Sequence, residues 1–149
     1  MRDKVFNEAR RWVGTTYHHH GRLRGQSCDC IGLIIGVGQA LGFNLPAGQE
    51  TLNYSALPHD DLCERMAAKY GRRVAANIDT ARPGQIGLFW YSKRGVGQHF
   101  CVFSWHEATK RKTMIHAFQG AATVVETGIS DFWRKRLIGV YDYRECADV

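Results

Sequence analysis

The spacing of apolar and polar positions changes character partway along the chain. Over residues 3–13, Val5, Phe6, Ala9, Trp12 and Val13 recur at helical spacing with Arg and Glu between them, and Gly14 ends the run. Residues 15–26 are polar and glycine-containing, which reads as a loop. A second helix is predicted over residues 29–41, free of charge after Asp29 and stopped by Gly42. Residues 44–60 carry Pro46, Gly48 and Pro58 and predict an irregular connection. Leu62, Met66, Ala67 and Tyr70 then mark a shorter amphipathic helix over residues 62–70, closed by Gly71.

Beyond that point the period falls from 3.6 to 2. A turn at Arg82-Pro83-Gly84 leads to a strand over residues 86–91, a hairpin loop at 93–97 and a strand over 98–105. A polar turn at 106–112 precedes strands over 113–118, 122–127 and 137–143. Helices first and an antiparallel meander second predict an α+β fold. The 149 residues suit one hydrophobic core, so a single domain over 1–149 is expected, with no internal repeat, low-complexity segment or linker.

Composition adds limits on partners. The net charge of +6 is spread over short groups such as Arg10-Arg11 and Arg134-Lys135-Arg136. None makes the long basic arm of a nucleic-acid tail, so no nucleic-acid partner is predicted; the surface instead suits anionic polymers. No apolar run approaches the roughly 18 residues of a transmembrane segment. The charged start, Met1 to Glu8, lacks the apolar core of a secretory signal, so the expectation is synthesis in the cytoplasm without a signal peptide. Five cysteines are an odd set, where a disulfide framework uses an even one, so reduced thiols are expected.

That turns attention to reactivity. Cys30 opens the second predicted helix, where unpaired N–H groups and the helix dipole favour a thiolate. A thiolate nucleophile needs a base, and two histidines fall on neighbouring predicted strands: His99 in "QHFCVFSW" and His116 in "TMIHAFQG". His99 as base with His116 orienting its other ring nitrogen is a coherent set. Singly, each has a plainer reading, as a buried small residue or a hydrogen-bonded structural histidine. His18-His19-His20 with Cys28 and Cys30 raise a zinc site. One residue between the cysteines is poor spacing for it, and ligation would consume the nucleophile, so no metal and no cofactor is predicted. The histidine run is placed at the cleft rim or in solvent. Cys28, Cys63, Cys101 and Cys146 read as packing residues, with Cys101 in phase with His99, and Gly32 and Gly36 as sites of close helix packing.

At "GTTY", "CDCIGLI", "ARPGQIGLF", "QHFCVF" and "MIHAF", taken in order over nearly the whole chain, the sequence resembles the NlpC/P60 family of papain-like cysteine peptidases. The resemblance implies a papain-like fold with Cys30 as nucleophile, His99 as base and His116 as third polar residue. It also implies Tyr17 near the nucleophile, Asp29 shaping the substrate site, and a peptidoglycan stem peptide as substrate, cut between D-glutamate and a diamino acid. "YHHHGRLRGQSCDCIGL" is similar to the branch found in tailed phages and gene transfer agents. That implies tail or baseplate proteins as partners and action in the periplasm or cell wall of a target cell. Thr16 replaces the usual proline, Gln85 the turn aspartate and Ile31 the usual serine, and Ile31 thereby removes a hydroxyl from the expected substrate pocket. Two alternatives stay open: a lipid acyltransferase or esterase with an apolar cleft, and a structural tail subunit whose site is unused or masked.

Overall fold

A computed structural model of the protein describes residues 1–45 and 54–147. In chain order the elements are α1 (Arg2–Arg10), β1 (Arg22–Leu23), β2 (Ser27–Cys28), α2 (Cys30–Ala40) and α3 (Leu62–Tyr70). Then come β3 (Gly71–Val74), β4 (Ile86–Phe89), β5 (His99–His106), β6 (Arg111–Phe118), β7 (Thr123–Gly128), α4 (Asp131–Arg134) and β8 (Leu137–Tyr143). The fold is α+β. Six strands form one sheet in the order β3-β8-β4-β5-β6-β7, every neighbouring pair antiparallel. The expected meander is β4 to β7, while β8 returns to pair with the outer side of β4.

Three elements were not legible in the apolar pattern. β3 is only four residues long and holds two exposed arginines, so it shows no alternation. The β1–β2 ribbon and α4 are also too short to establish a period. The predicted connection at 44–60 is described only in part, because residues 46–53 lie outside the described residues. α1 ends three residues earlier than predicted. Trp12 still packs inward from the turn that follows, and Gly14 takes the left-handed φ of +93° that this turn requires.

Alternation along the strands sorts the sheet into two packed faces. Phe100, Val102, Ile115, Ala117 and Val124 meet α1 and α2, with Val5, Ala9, Trp12, Leu33 and Val37 among the facing side chains. Phe89, Cys101, Phe103, Met114 and Val140 point the other way, onto Ile78, Ala81 and Trp133. With both faces covered, β5 is buried continuously from His99 to Ser104.

α2 is the central helix and is apolar nearly all round. Two glycines let it approach its neighbours. A Cβ on Gly36 would stand 2.2 Å from the Trp12 ring, and the one on Gly32 would collide with the Gly21 carbonyl. Among the described residues no helix is long and apolar enough to cross a membrane. All five cysteines are free and buried.

Candidate active site

The start of α2 is fixed by one carboxylate. Asp29 is the N-cap, 2% exposed, and its Oδ1 accepts from the Gly32 N–H at 2.7 Å. Its Oδ2 accepts from the His20 N–H at 2.7 Å and from the Tyr54 hydroxyl at 2.6 Å. His20 takes a left-handed φ of 70° to make this contact, and its Nε2 meets the Tyr54 carbonyl at 2.9 Å. Asp29 therefore sits beneath the site with its oxygens occupied. It caps the helix that begins at Cys30 and is not among the residues lining the cavity, so any part it has in shaping the substrate site is through the residues it holds. His19 and His20 pack on Tyr54, while His18 is exposed. Among the described residues no group of three His, Cys, Asp or Glu side chains is arranged to hold a metal ion.

Cys30, the first residue of α2, opens onto a cavity of about 280 Å³ lined also by Tyr17, Tyr91, Gln98, His99 and Phe118. Its thiol donates to the Gln98 carbonyl at 3.9 Å, and the backbone N–H groups of Phe100 and Ile31 point at the sulfur. The helix start was expected to lower the thiol pKa. Burial, reinforced by the nearby Asp29 charge, outweighs those N–H groups and pushes Cys30 up to about 12. The resting form is a neutral thiol.

His99 and His116 stand on the sheet face opposite α2, at the end of their strands. His99 Nε2 and His116 Nδ1 are 2.8 Å apart, and the His99 ring stacks on Trp133 at 4.6 Å. His116 Nε2 reaches the Thr127 hydroxyl at 3.4 Å. Burial and then the neighbouring His116 hold His99 well below the ordinary histidine range, and burial lowers His116 to about 4. Both rings are neutral near pH 7. Among the described residues no hydrogen bond joins Cys30 to His99, because the thiol is engaged by Gln98. With His99 Nε2 committed to His116, Nδ1 is the ring nitrogen left for a proton from the thiol.

Tyr17 lines the cavity, and burial followed by the Cys30 and Asp29 charges raises its pKa, so its hydroxyl stays a donor. Ile31 departs from expectation. Its side chain is 2% exposed and belongs to the helix-side core, lining a small apolar cavity with Ile34, Ile35 and Met66. One residue along a helix rotates about 100°, which turns Ile31 away from the cleft that Cys30 enters. Its only offering to the site is its backbone N–H, and the support it lent to an apolar-substrate cleft falls away. Gln85 is structural: it accepts from the Arg82 N–H at 2.8 Å and donates to Asp142 at 3.3 Å. Cys101 shares the His99 side of β5 and is fully buried.

Sequence reasoning missed Gln98. Its Oε1 accepts from the N–H groups of Tyr91, Ser92 and Lys93 at 2.9, 2.9 and 3.0 Å, and its Nε2 donates to the Pro58 carbonyl at 3.1 Å. This glutamine folds the β4–β5 loop over the cleft and places its own carbonyl on Cys30. A polar residue adjoining His99 in the sequence was the available signal.

No protein-family model and no curated protein sequence matches the chain. Solved structures do. A protein similar to a lipoprotein of the NLP/P60 family from Staphylococcus aureus has a TM-score of 0.64 at 18% identity, over 95% of this chain and 41% of its own. NlpC1 from Trichomonas vaginalis has a TM-score of 0.70 at 14% identity, over 95% and 44%. The NlpC/p60 domain of the peptidoglycan hydrolase SagA has a TM-score of 0.63 at 19% identity, over 95% and 98%. The chain thus spans about two fifths of the first two proteins and nearly all of the third. At these identities the likeness is one of fold: the papain-like α+β arrangement of NlpC/P60 domains.

Proposed function

We propose that the chain is a cysteine peptidase acting on the stem peptide of peptidoglycan, with Cys30 as nucleophile, His99 as general base and His116 as the residue that orients it. The observation that carries this reading is the 2.8 Å His99–His116 hydrogen bond at the wall of the cavity that Cys30 enters. The likeness in fold to a domain of a peptidoglycan hydrolase supports the substrate class, and the net charge of +6 suits an anionic wall.

In this reading a substrate amide enters the cleft and the thiol leaves the Gln98 carbonyl for His99 Nδ1. The proton passes to Nδ1 as the Sγ–carbon bond forms, and His116 accepts from the His99 Nε2–H throughout. The oxyanion meets the Tyr17 hydroxyl and backbone N–H groups at the start of α2. His99 then protonates the departing amine as the C–N bond breaks, leaving a thioester. Water, deprotonated by the same imidazole, hydrolyses it and restores the thiol.

The bond between D-glutamate and the diamino acid, and a place among the tail or baseplate proteins of a phage-like particle that delivers the enzyme to the periplasm, rest on the sequence resemblance alone. Digestion of purified peptidoglycan by the wild type and by Cys30→Ala, with products read by mass spectrometry, tests the activity. Muropeptides released by the wild type and absent with the variant are expected; identical product sets sink the reading. Mass spectrometry of purified particles tests the tail assignment.

A further inference from the structure

Beyond His99 the wall of the cleft becomes aromatic and runs out to the surface. Among the described residues five large apolar side chains are exposed, and two of them, Tyr91 at 37% and Phe132 at 41%, meet with ring centroids 5.8 Å apart. Tyr91 also lines the cavity that holds Cys30 and His99, and its ring lies 6.4 Å from that of Phe118, another cavity residue. At the outer end the Arg136 guanidinium lies 3.7 Å over the Phe132 ring and 4.3 Å over the Trp90 ring, with Nη1 donating to the Phe132 carbonyl at 3.0 Å. Behind the shelf, buried Trp133 touches both exposed rings, at 6.0 and 4.9 Å. The rings are thus fixed before any ligand arrives, and little side-chain freedom remains to be lost on binding.

A contiguous exposed aromatic shelf at the mouth of a cleft calls for an occupant. The inference rests on the peptidase reading of that cleft and names a further part of its substrate. Stem peptides of alanine, glutamate and a diamino acid carry no ring and no large apolar side chain to cover two aromatic faces. The sugars of the glycan strand do present flat faces, whose C–H hydrogens are partially positive and match the negative face of an aromatic ring. The guanidinium covers one face of Phe132 and leaves the other to a sugar; with Nε on the Tyr91 carbonyl at 3.4 Å and Nη1 on the Phe132 carbonyl, its Nη2 can donate to an acetamido oxygen. We infer that Tyr91 and Phe132, with Arg136 beside them, form a subsite for the amino sugar that bears the stem peptide, so that the enzyme recognises glycan-linked peptide in preference to free peptide.

The test compares disaccharide-bearing muropeptides with the same stem peptides freed of sugar by an amidase, using the wild type, Phe132→Ala and Phe132→Tyr. The wild type is expected to show a kcat/KM about tenfold higher on the sugar-bearing substrate, expressed through KM, as a stacking contact of this kind supports. Phe132→Ala should bring the ratio of the two kcat/KM values to about one, whatever its rate on free peptide, and Phe132→Tyr should keep the wild-type ratio. Equal rates on both substrates with the wild type, or a preference that survives Phe132→Ala, overturn the subsite. If neither substrate is cleaved, the peptidase reading fails separately, and binding decides the inference. An N-acetylglucosamine tetramer should then quench tryptophan fluorescence of Cys30→Ala and lose that effect in Cys30→Ala/Phe132→Ala; no quenching in the former overturns the subsite.

Discussion

Two cavities lie on either side of the first turn of α2, and consecutive residues enter different ones. Ile31 borders a small apolar space of about 30 Å³ lined by Ile34, Ile35, Met66, Phe100 and Tyr141. Cys30 borders the open space of about 280 Å³ with Tyr17, Gln98 and His99. The first is the smaller and is lined by apolar and aromatic side chains and one glycine. The second is roomy, yet its polar groups are already engaged: Cys30 by the Gln98 carbonyl, His99 by His116, and Gln98 by its own loop. Apolar packing on one side holds the helix start, and on the other side the thiol and both imidazoles rest neutral and hydrogen-bonded.

The contrast is broken most directly at His99. His99→Ala should lower the rate of peptidoglycan cleavage per folded molecule by about 10³-fold, and it should also lower the melting temperature, since it empties space beside Trp133 and leaves His116 Nδ1 without its partner. A variant that unfolds without a loss of turnover per folded molecule would show the histidine to be structural.

Ile31→Ser probes the closed side. Removing a buried side chain and leaving a hydroxyl without a partner should cost about 3 kcal/mol of stability, measured by denaturant unfolding, with kcat/KM on peptidoglycan unchanged below the transition. An altered choice of substrate at full stability would place Ile31 in the cleft after all.

Acid sharpens the comparison through the buried histidine pair. Unfolded histidine titrates near 6.5 whereas His116 titrates at about 4, because burial opposes its charged form. The folded pKa is depressed, so the stability it contributes is complete above pH 6.5 and is lost as pH falls towards 4. His99 acts in the same direction. Melting temperatures should decline across that window, and His116→Gln should flatten part of the decline; a level profile for the wild type contradicts the neutral pair.

The mildest test reads the thiol itself. With Cys30 near 12, iodoacetamide labelling located by mass spectrometry should speed up by about tenfold per pH unit between roughly pH 7 and 9. A rate already level across that range would mean a preformed thiolate–imidazolium pair.

Much of the frame was legible because it depends on near neighbours. The bounds predicted for α3 and β8 coincide with those observed: α3 is an amphipathic run closed by Gly71, and β8 is a short run rich in aliphatic and aromatic residues. Asp29 before Cys30 marks a helix start because a cap needs only its own first turn. His99 and His116 could be placed on adjacent strands because a short turn joins them. The elements that escaped, β3, α4 and the β1–β2 ribbon, are too short for a period and exist only through the strands and side chains they meet.

Near-neighbour patterns were enough to give the three longer helices, the strands from β4 to β8, the cysteine at a helix start and the phase that Cys101 shares with His99. All of these follow from the local periods of the chain, about 3.6 for a helix and 2 for a strand. Contacts between remote segments decide that Ile31 belongs to the core, that the second oxygen of Asp29 is taken by His20 and Tyr54, that burial overrides the helix dipole at Cys30, and that Tyr91 meets Phe132 forty-one positions away. Burial, desolvation and ring contact are sums over neighbours drawn from remote segments, and no window along the chain contains them.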